Sequence, residues 1–255
     1  MGHRRRVARR DGRESEPEPL MGRLGIIGGH GLLGSAFACY AATIAIEAPD
    51  RSPVCVFDTR DYAFVQRHGH HEYRPPHRVD HLANLGGLAS IGCDRILAVG
   101  SVGGLRTDQR VSDVVVPDDF IALGQAVSTF EDAQGHGVRG FDARWRRAMT
   151  DTWQEVSGTE VTDGGVYWQT MGPRFETPAE IRLLSQFADI VGMTVASECI
   201  IAGELGLSYA AVCVIDNLAN GLSDDTLSMD SFEAGKAANQ PSTVATLEQV
   251  ARALA

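Results

Sequence analysis

From Met21 onward, short apolar runs alternate with stretches of helical spacing. Residues 24–27 (LGII) form an apolar run that stops at Gly28-Gly29, the pattern of a buried strand entering a tight turn. Residues 53–57 (PVCVF) read as a second strand. Residues 82–91 carry apolar positions at helical spacing, and residues 95–99 (RILAV) read as a strand closed by GSVGGLR. A further strand is expected over 111–117 (VSDVVVP), then a helix over 141–156 with Trp145 and Trp153 on one side. The run Thr177-Pro178-Ala179-Glu180 supplies an N-cap, a first-turn proline and a capping-box glutamate, so a helix opens there. Ile190-Val191 and residues 210–215 (AAVCVI) read as strands, residues 197–205 as the helix between them, and Met229 to the end as a last helical region.

Strands separated by helices of this length predict an α/β protein with a largely parallel sheet. With no repeat and no break in composition, residues 21–255 read as one domain. In such sheets ligands bind where strand ends meet loops. The glycine-rich stretches expected at that edge are 28–31, the region of Gly69, 100–104, Gly172-Pro173 and Asn220-Gly221. Glycine lets backbone approach a ligand closely and present N–H groups to an anion.

The formal net charge of -10 changes the picture by exclusion. Nonspecific nucleic-acid binding needs a basic footprint, and anionic membranes attract basic segments, so neither partner is expected. The odd, scattered cysteines Cys39, Cys55, Cys93, Cys199 and Cys213 form no CxxC, which points to reduced thiols in a cytoplasmic protein rather than disulfides or a zinc site. Residues 1–20, arginine-rich and then acidic, without an apolar stretch, read as a disordered extension.

Several stretches carry chemistry. Gly29-x-Gly31-x-x-Gly34 raises a dinucleotide fingerprint, but the acidic residue that should follow is too distant at Asp58; an anion loop explains the glycines with fewer requirements. Arg67-His68-Gly69 sets a guanidinium beside an imidazole, apt for a phosphate, although an isolated RHG is more often a solvated loop. In GPRFETPAEI, Phe175 suits stacking on a flat ring and Glu176 suits accepting from ring N–H groups; singly, each reads as core and helix-end charge. Asp216 and Asn217 fall where the strand 210–215 should emerge, in a position equally suited to a turn.

Together and in this order, GIIGGHGLLGS, RHGHHEYRPPHRVDHLANLGGLASIG, AVGSVGGLR, GPRFETPAEI, VGMTVASECIIAGELGL and VIDNLANG resemble the trimeric purine nucleoside phosphorylase and methylthioadenosine phosphorylase family, over nearly the whole chain. The resemblance implies a single-domain α/β sandwich around a mixed, largely parallel sheet flanked by helices. It also implies a homotrimer, no metal or organic cofactor, and phosphate as co-substrate in purine salvage. Carried over by position, it implies a phosphate site of His30, Arg67, His68, Ser101 and Thr194, with Gly100 giving backbone contacts. Met193 would lie under the ribose, Phe175 against the base, Glu176 and Asn217 at its edge, with Leu218, Ala219 and Met229 nearby. Asn217 and His68 are the expected catalytic groups. Two positions depart from the family: His30 stands where Ser or Thr is usual, and Glu72 where His is common.

Within the family, the Glu176 and Asn217 pair resembles members acting on 6-oxopurines, whereas methylthioadenosine members tend to a small Ser and an Asp. A 6-oxopurine offers an N1–H that a carboxylate accepts, while adenine presents a lone pair there. A one-residue slip to Asp216 would move the expectation toward adenine. At the 5′ end, where ordinary members tend to have a His, this chain has Met229, with Phe232 one turn on; an apolar pocket suits a methylthio group, and core packing is the competing reading. His136 is a further candidate for reaching a neighbour's site. The expected substrate is S-methyl-5′-thioinosine or inosine. The alternatives are methylthioadenosine and, in another class, a phosphate-independent or non-catalytic purine-binding relative.

Overall fold

The computed structural model describes residues 22–47, 51, 53–223 and 227–255; the extension expected over 1–20 lies outside them. Chain order gives β1 (Arg23–Gly28), β2 (Ala42–Ile46), β3 (Val54–Asp58), β4 (Tyr62–Gln66), α1 (His81–Ser90), β5 (Cys93–Gly104), β6 (Val114–Val116) and β7 (Asp119–Ile121). There follow α2 (Ala143–Ser157), β8 (Val161–Asp163), β9 (Val166–Gln169), α3 (Pro178–Leu184), β10 (Ile190–Gly192), α4 (Val195–Glu204), β11 (Ser208–Leu218) and α5 (Met229–Leu254).

All the strands belong to one mixed sheet. Its main path runs β2-β3-β4-β1-β5-β10-β9-β7, and β11 joins β5 and leads to β6 and β8. The centre is parallel: β1 pairs with β4 and β5, and β5 with β11. Antiparallel pairings lie toward the edges and between β5 and β10. Central strands are apolar at successive positions because both faces are covered. Along β5, Ile96 and Ala98 join the core beneath α1 and α4, while Leu97 and Val99 join the core beneath α2 and α5. On α2, Trp145, Met149 and Trp153 recur at helical spacing and are all buried, as the two tryptophans predict. Thr177 caps α3 through the expected capping box with Glu180. Among the described residues, no helix is long and apolar enough to cross a membrane.

Three expectations are corrected. The stretch 100–104 is the second half of β5, not a loop. Its glycines are needed because neighbours press on the strand: a Cβ on Gly100 would lie 3.2 Å from Cys213 Sγ and 3.3 Å from Val195. After β1 the chain makes only a 3₁₀ turn, His30–Leu32, so the helix a dinucleotide fingerprint requires does not form. The strand expected over 111–117 shortens to β6, because Ser112 turns at φ +81°. Strands β2, β4, β7, β8 and β9 had no counterpart in the sequence reading.

Candidate active site

A cavity of about 330 Å³ opens where the ends of β1 and β4, the second half of β5, the start of α4 and the end of β11 converge. Strand β5 lays out its length. Arg67 Nη1 donates to the carbonyl of Val99 at 2.9 Å, and a Cβ on Gly103 would lie 3.5 Å from Asn217 Nδ2. Four residues of strand separate these points, roughly 13 Å at the usual rise. The segment joining β10 to α4 runs the opposite way beside it. Val191 packs at Gly103 and Val195 at Gly100, with Met193 and Thr194 between. One end thus gathers His30, Arg67, His68 and Ser101; the other gathers Glu176, Asn217 and Ala219.

At the first end most charge is already matched. Arg67 Nε and Nη2 donate to the two Glu198 oxygens at 2.5 and 2.8 Å, within a fully enclosed pair. Burial works against the Glu198 carboxylate, but Arg67, with help from His81, holds it down at about 2. Tyr209 also donates to Glu198, at 2.8 Å. Glycine is required at Gly29, where a Cβ would stand 2.2 Å from Arg67 Nη1. The Arg67 guanidinium thus reaches the cavity as one half of an ion pair.

His68 is neutral at ordinary pH. Burial, and then the charge of Arg67, depress it to about 4. Its Nδ1–H donates to the Arg74 carbonyl at 2.8 Å, which leaves Nε2 as an acceptor. The Ser101 hydroxyl donates to Asp216, so the hydroxyl contact expected of Ser101 is already in use. Thr194 caps α4 with no hydrogen bond from its side chain and lines the cavity; its backbone N–H and that of Val195 donate to Tyr167.

At the second end, β11 carries a bulge between Ile215 and Asn217. The extra residue, Asp216, turns to the opposite face, where it accepts from Ser101 and from Asn239 Nδ2 at 2.6 Å. Asn217 turns into the cavity, and the bulge is what separates the two neighbours. Alternation then places Leu218 outside and Ala219 inside. Leu218 packs at Gly104 and does not line the cavity, a correction to its expected role. Glu176 is buried and is held by Thr170 Oγ1 at 2.5 Å and, through its carbonyl, by Asn220 at 3.0 Å. Phe175 sits 5.7 Å from Phe232, which in turn lies 5.1 Å from His30. Phe232, Met229 and Leu227 give the cavity an apolar border at the start of α5.

Glu72 and His136 do not line the cavity; His136 ends an exposed 3₁₀ turn. Residues the sequence reading missed include Tyr73, stacked on His68 at 5.5 Å, Tyr167 and Glu198. Glu198 carried a usable signal: a lone carboxylate inside VASECIIAG must have a partner if that helix is buried. Outside the cavity, Cys55, His70 and His71 bring ligand atoms within 4.8 Å of one another.

A family model described as the phosphorylase superfamily matches residues 23–252. A probable 6-oxopurine nucleoside phosphorylase of Archaeoglobus fulgidus is 40% identical over 207 residues, covering 80% of this chain and 85% of the relative. A probable S-methyl-5′-thioinosine phosphorylase of Methanothermobacter thermautotrophicus is 35% identical over 221 residues, covering 81% and 75%. Among solved structures, methylthioadenosine phosphorylase from Schistosoma mansoni in complex with adenine superposes with a TM-score of 0.75 at 23% identity, covering 90% of each chain, which speaks to the fold.

Proposed function

The chain belongs to the phosphorylase superfamily, and from that membership we propose that it is a purine nucleoside phosphorylase whose preferred substrate is a 6-oxopurine nucleoside, S-methyl-5′-thioinosine or inosine. The observation that carries the reading is the single cavity with anion-binding groups at one end of β5 and base-reading groups at the other.

In this reading phosphate is held among His30, Arg67, Thr194 and the backbone of Gly100 and Ser101. One of its oxygens forms the bond to C1′ of the sugar. The C1′–N9 bond breaks, its electron pair goes to the purine, the proton that phosphate gives up passes to the base, and the products are the free base and a ribose 1-phosphate. Fixing the nucleophile and the sugar in one site removes the entropic cost of their meeting. Met193, midway along the cavity, lies under the ribose. His68 Nε2 is suited to accept from a hydroxyl of the sugar or of phosphate.

Phe175 faces the base. Glu176 accepts from N1–H, and the Asn217 amide donates to the O6 and N7 side, where negative charge grows as the base departs. Asn217 Nδ2 also donates to the Leu218 carbonyl at 2.8 Å, which steadies the amide at the cavity. Adenine would set a lone pair against Glu176, and each unpaired group of this kind costs about 1–3 kcal/mol. The apolar border of Leu227, Met229 and Phe232 favours a 5′-methylthio group.

Phosphorolysis of methylthioinosine, inosine and methylthioadenosine side by side tests this. The two 6-oxopurine nucleosides should exceed methylthioadenosine in kcat/KM by about tenfold or more, the equivalent of one unpaired polar group. A preference for methylthioadenosine would instead identify a methylthioadenosine phosphorylase.

A further inference from the structure

The phosphate end of the cavity holds little unmatched positive charge. Arg67 is bound to Glu198, His68 is neutral and offers an acceptor, and Ser101 gives its proton to Asp216. A phosphate dianion is held best by charged donors. His30, at the position that resembles a Ser or Thr site in relatives, lines this end and is mostly buried. Its Nε2 stands 2.7 Å from Glu233 Oε1, on the first turns of α5, and Glu233 Oε2 accepts from Lys236 at 3.0 Å. Glu233 itself does not line the cavity, so Nε2–H is turned to the carboxylate and Nδ1 is left for a ligand.

We propose that Glu233 is a positioning residue that orients His30 and supports charge on its ring as phosphate arrives, so that His30 supplies the charge for phosphate and phosphate binds together with one proton. The inference rests on the phosphorylase reading given above.

The groups facing His30 come from each element packed around it. Glu233 and Lys236 lie on α5, His68 and Tyr73 on the segment after β4, Asp216 on β11, and Arg67 beneath Gly29. Lys236 and Arg67 oppose a charged imidazole, but Arg67 is paired with Glu198, and Lys236 with the other oxygen of Glu233. Glu233 and Asp216 favour it, and only Glu233 touches a ring nitrogen. A carboxylate in contact with imidazole both fixes the ring and favours its charged form. Fastening the ring from α5 also ties the phosphate end to Phe232, on the same turn, at the 5′ border.

The test is calorimetry of phosphate binding in buffers of different ionisation heat, which counts protons taken up, on wild type, His30→Thr and Glu233→Gln. KM for phosphate is measured alongside from pH 5.5 to 8.5. Phosphate's own titration is common to all three proteins and cancels in the comparison. Wild type should take up to one proton more than His30→Thr. Its phosphate KM, divided by that of His30→Thr, should rise with pH by up to about tenfold per unit, the limit for one linked proton. Glu233→Gln should begin that rise at lower pH and raise phosphate KM at pH 7 by about tenfold, the effect of one charge-assisted hydrogen bond, while leaving nucleoside KM unchanged. Equal proton counts and parallel KM curves in wild type and His30→Thr would overturn the proposal. Proton-linked phosphate binding without turnover would instead sink the phosphorylase reading and leave the pair standing. Absence of phosphate binding in wild type would sink both.

Discussion

At the scale of single residues, the site depends on how buried charge is matched. Glu198 is fully enclosed, and with the Arg67 guanidinium it forms a pair of no net charge beside the cavity. Removing one member of such a pair strands the other, which typically costs about 3–5 kcal/mol. Glu198→Gln should therefore lower the thermal midpoint by several degrees. It should also change the acid limb of stability. The folded Glu198 carboxyl lies near 2, below the ordinary glutamate value of 4.5. Its contribution is complete above 4.5 and is lost as pH falls toward 2. His68, neutral and depressed to about 4, contributes in a window above this, so the two are separable. Thermal melts from pH 2 to 7 should show a shallower loss below 4.5 in Glu198→Gln than in wild type; equal slopes would refute the assignment. The sequence placed Arg67 and Glu176 at the site. It did not show what Arg67 would be paired with, because a partner 131 positions away in sequence is a matter of tertiary packing.

At the scale of elements, the bulge in β11 and helix α5 form one device. The bulge sends Asp216 toward Asn239 and Asn217 toward the base end. Helix α5 lies directly on it: a Cβ on Gly235 would stand 1.9 Å from the Asp216 carbonyl oxygen. Exchanging glycine for alanine inside a helix ordinarily gains up to about 1 kcal/mol. Overpacking against backbone costs about 1–3 kcal/mol, and at this distance the clash should win. Gly235→Ala should be less stable by about 1–2 kcal/mol in denaturant melts. It should also raise KM for 5′-methylthio nucleosides, since Phe232 and Met229 ride on the same end of α5. An alanine variant as stable as wild type, with unchanged KM, would show that α5 is not seated on the bulge. The apolar runs of β1 and β11 were legible as buried strands, α1 from its helical spacing, and α3 from its capping box. The three- to five-residue strands β2, β7, β8 and β9 were not, because they carry too few positions to show a period. Strand β4 was hidden by being buried at every position, with no alternation. The bulge itself has no sequence signature; the choice between Asp216 and Asn217 rested on register until the pairing of β11 with β5 separated them.

At the scale of the molecule, one continuous sheet serves as a ruler. Strand β5 crosses its centre, flanked by β1 and β11 and then by β10, and every group assigned to phosphate, sugar or base stands along its second half or beside it. This explains why motifs scattered from residue 25 to residue 221 report on one site: each lies in, ends or follows a strand beside the second half of β5, where the parallel centre meets the antiparallel β10. In the proposed reading the acidic chain holds phosphate by local donors against its overall charge, and turnover should depend on phosphate. The most direct measurement is release of hypoxanthine from inosine or methylthioinosine as a function of phosphate concentration, with the sugar product identified. Release should vanish without phosphate, saturate as phosphate rises, and yield one sugar 1-phosphate per base. Release at full rate in phosphate-free buffer, with free sugar as the product, would contradict the account.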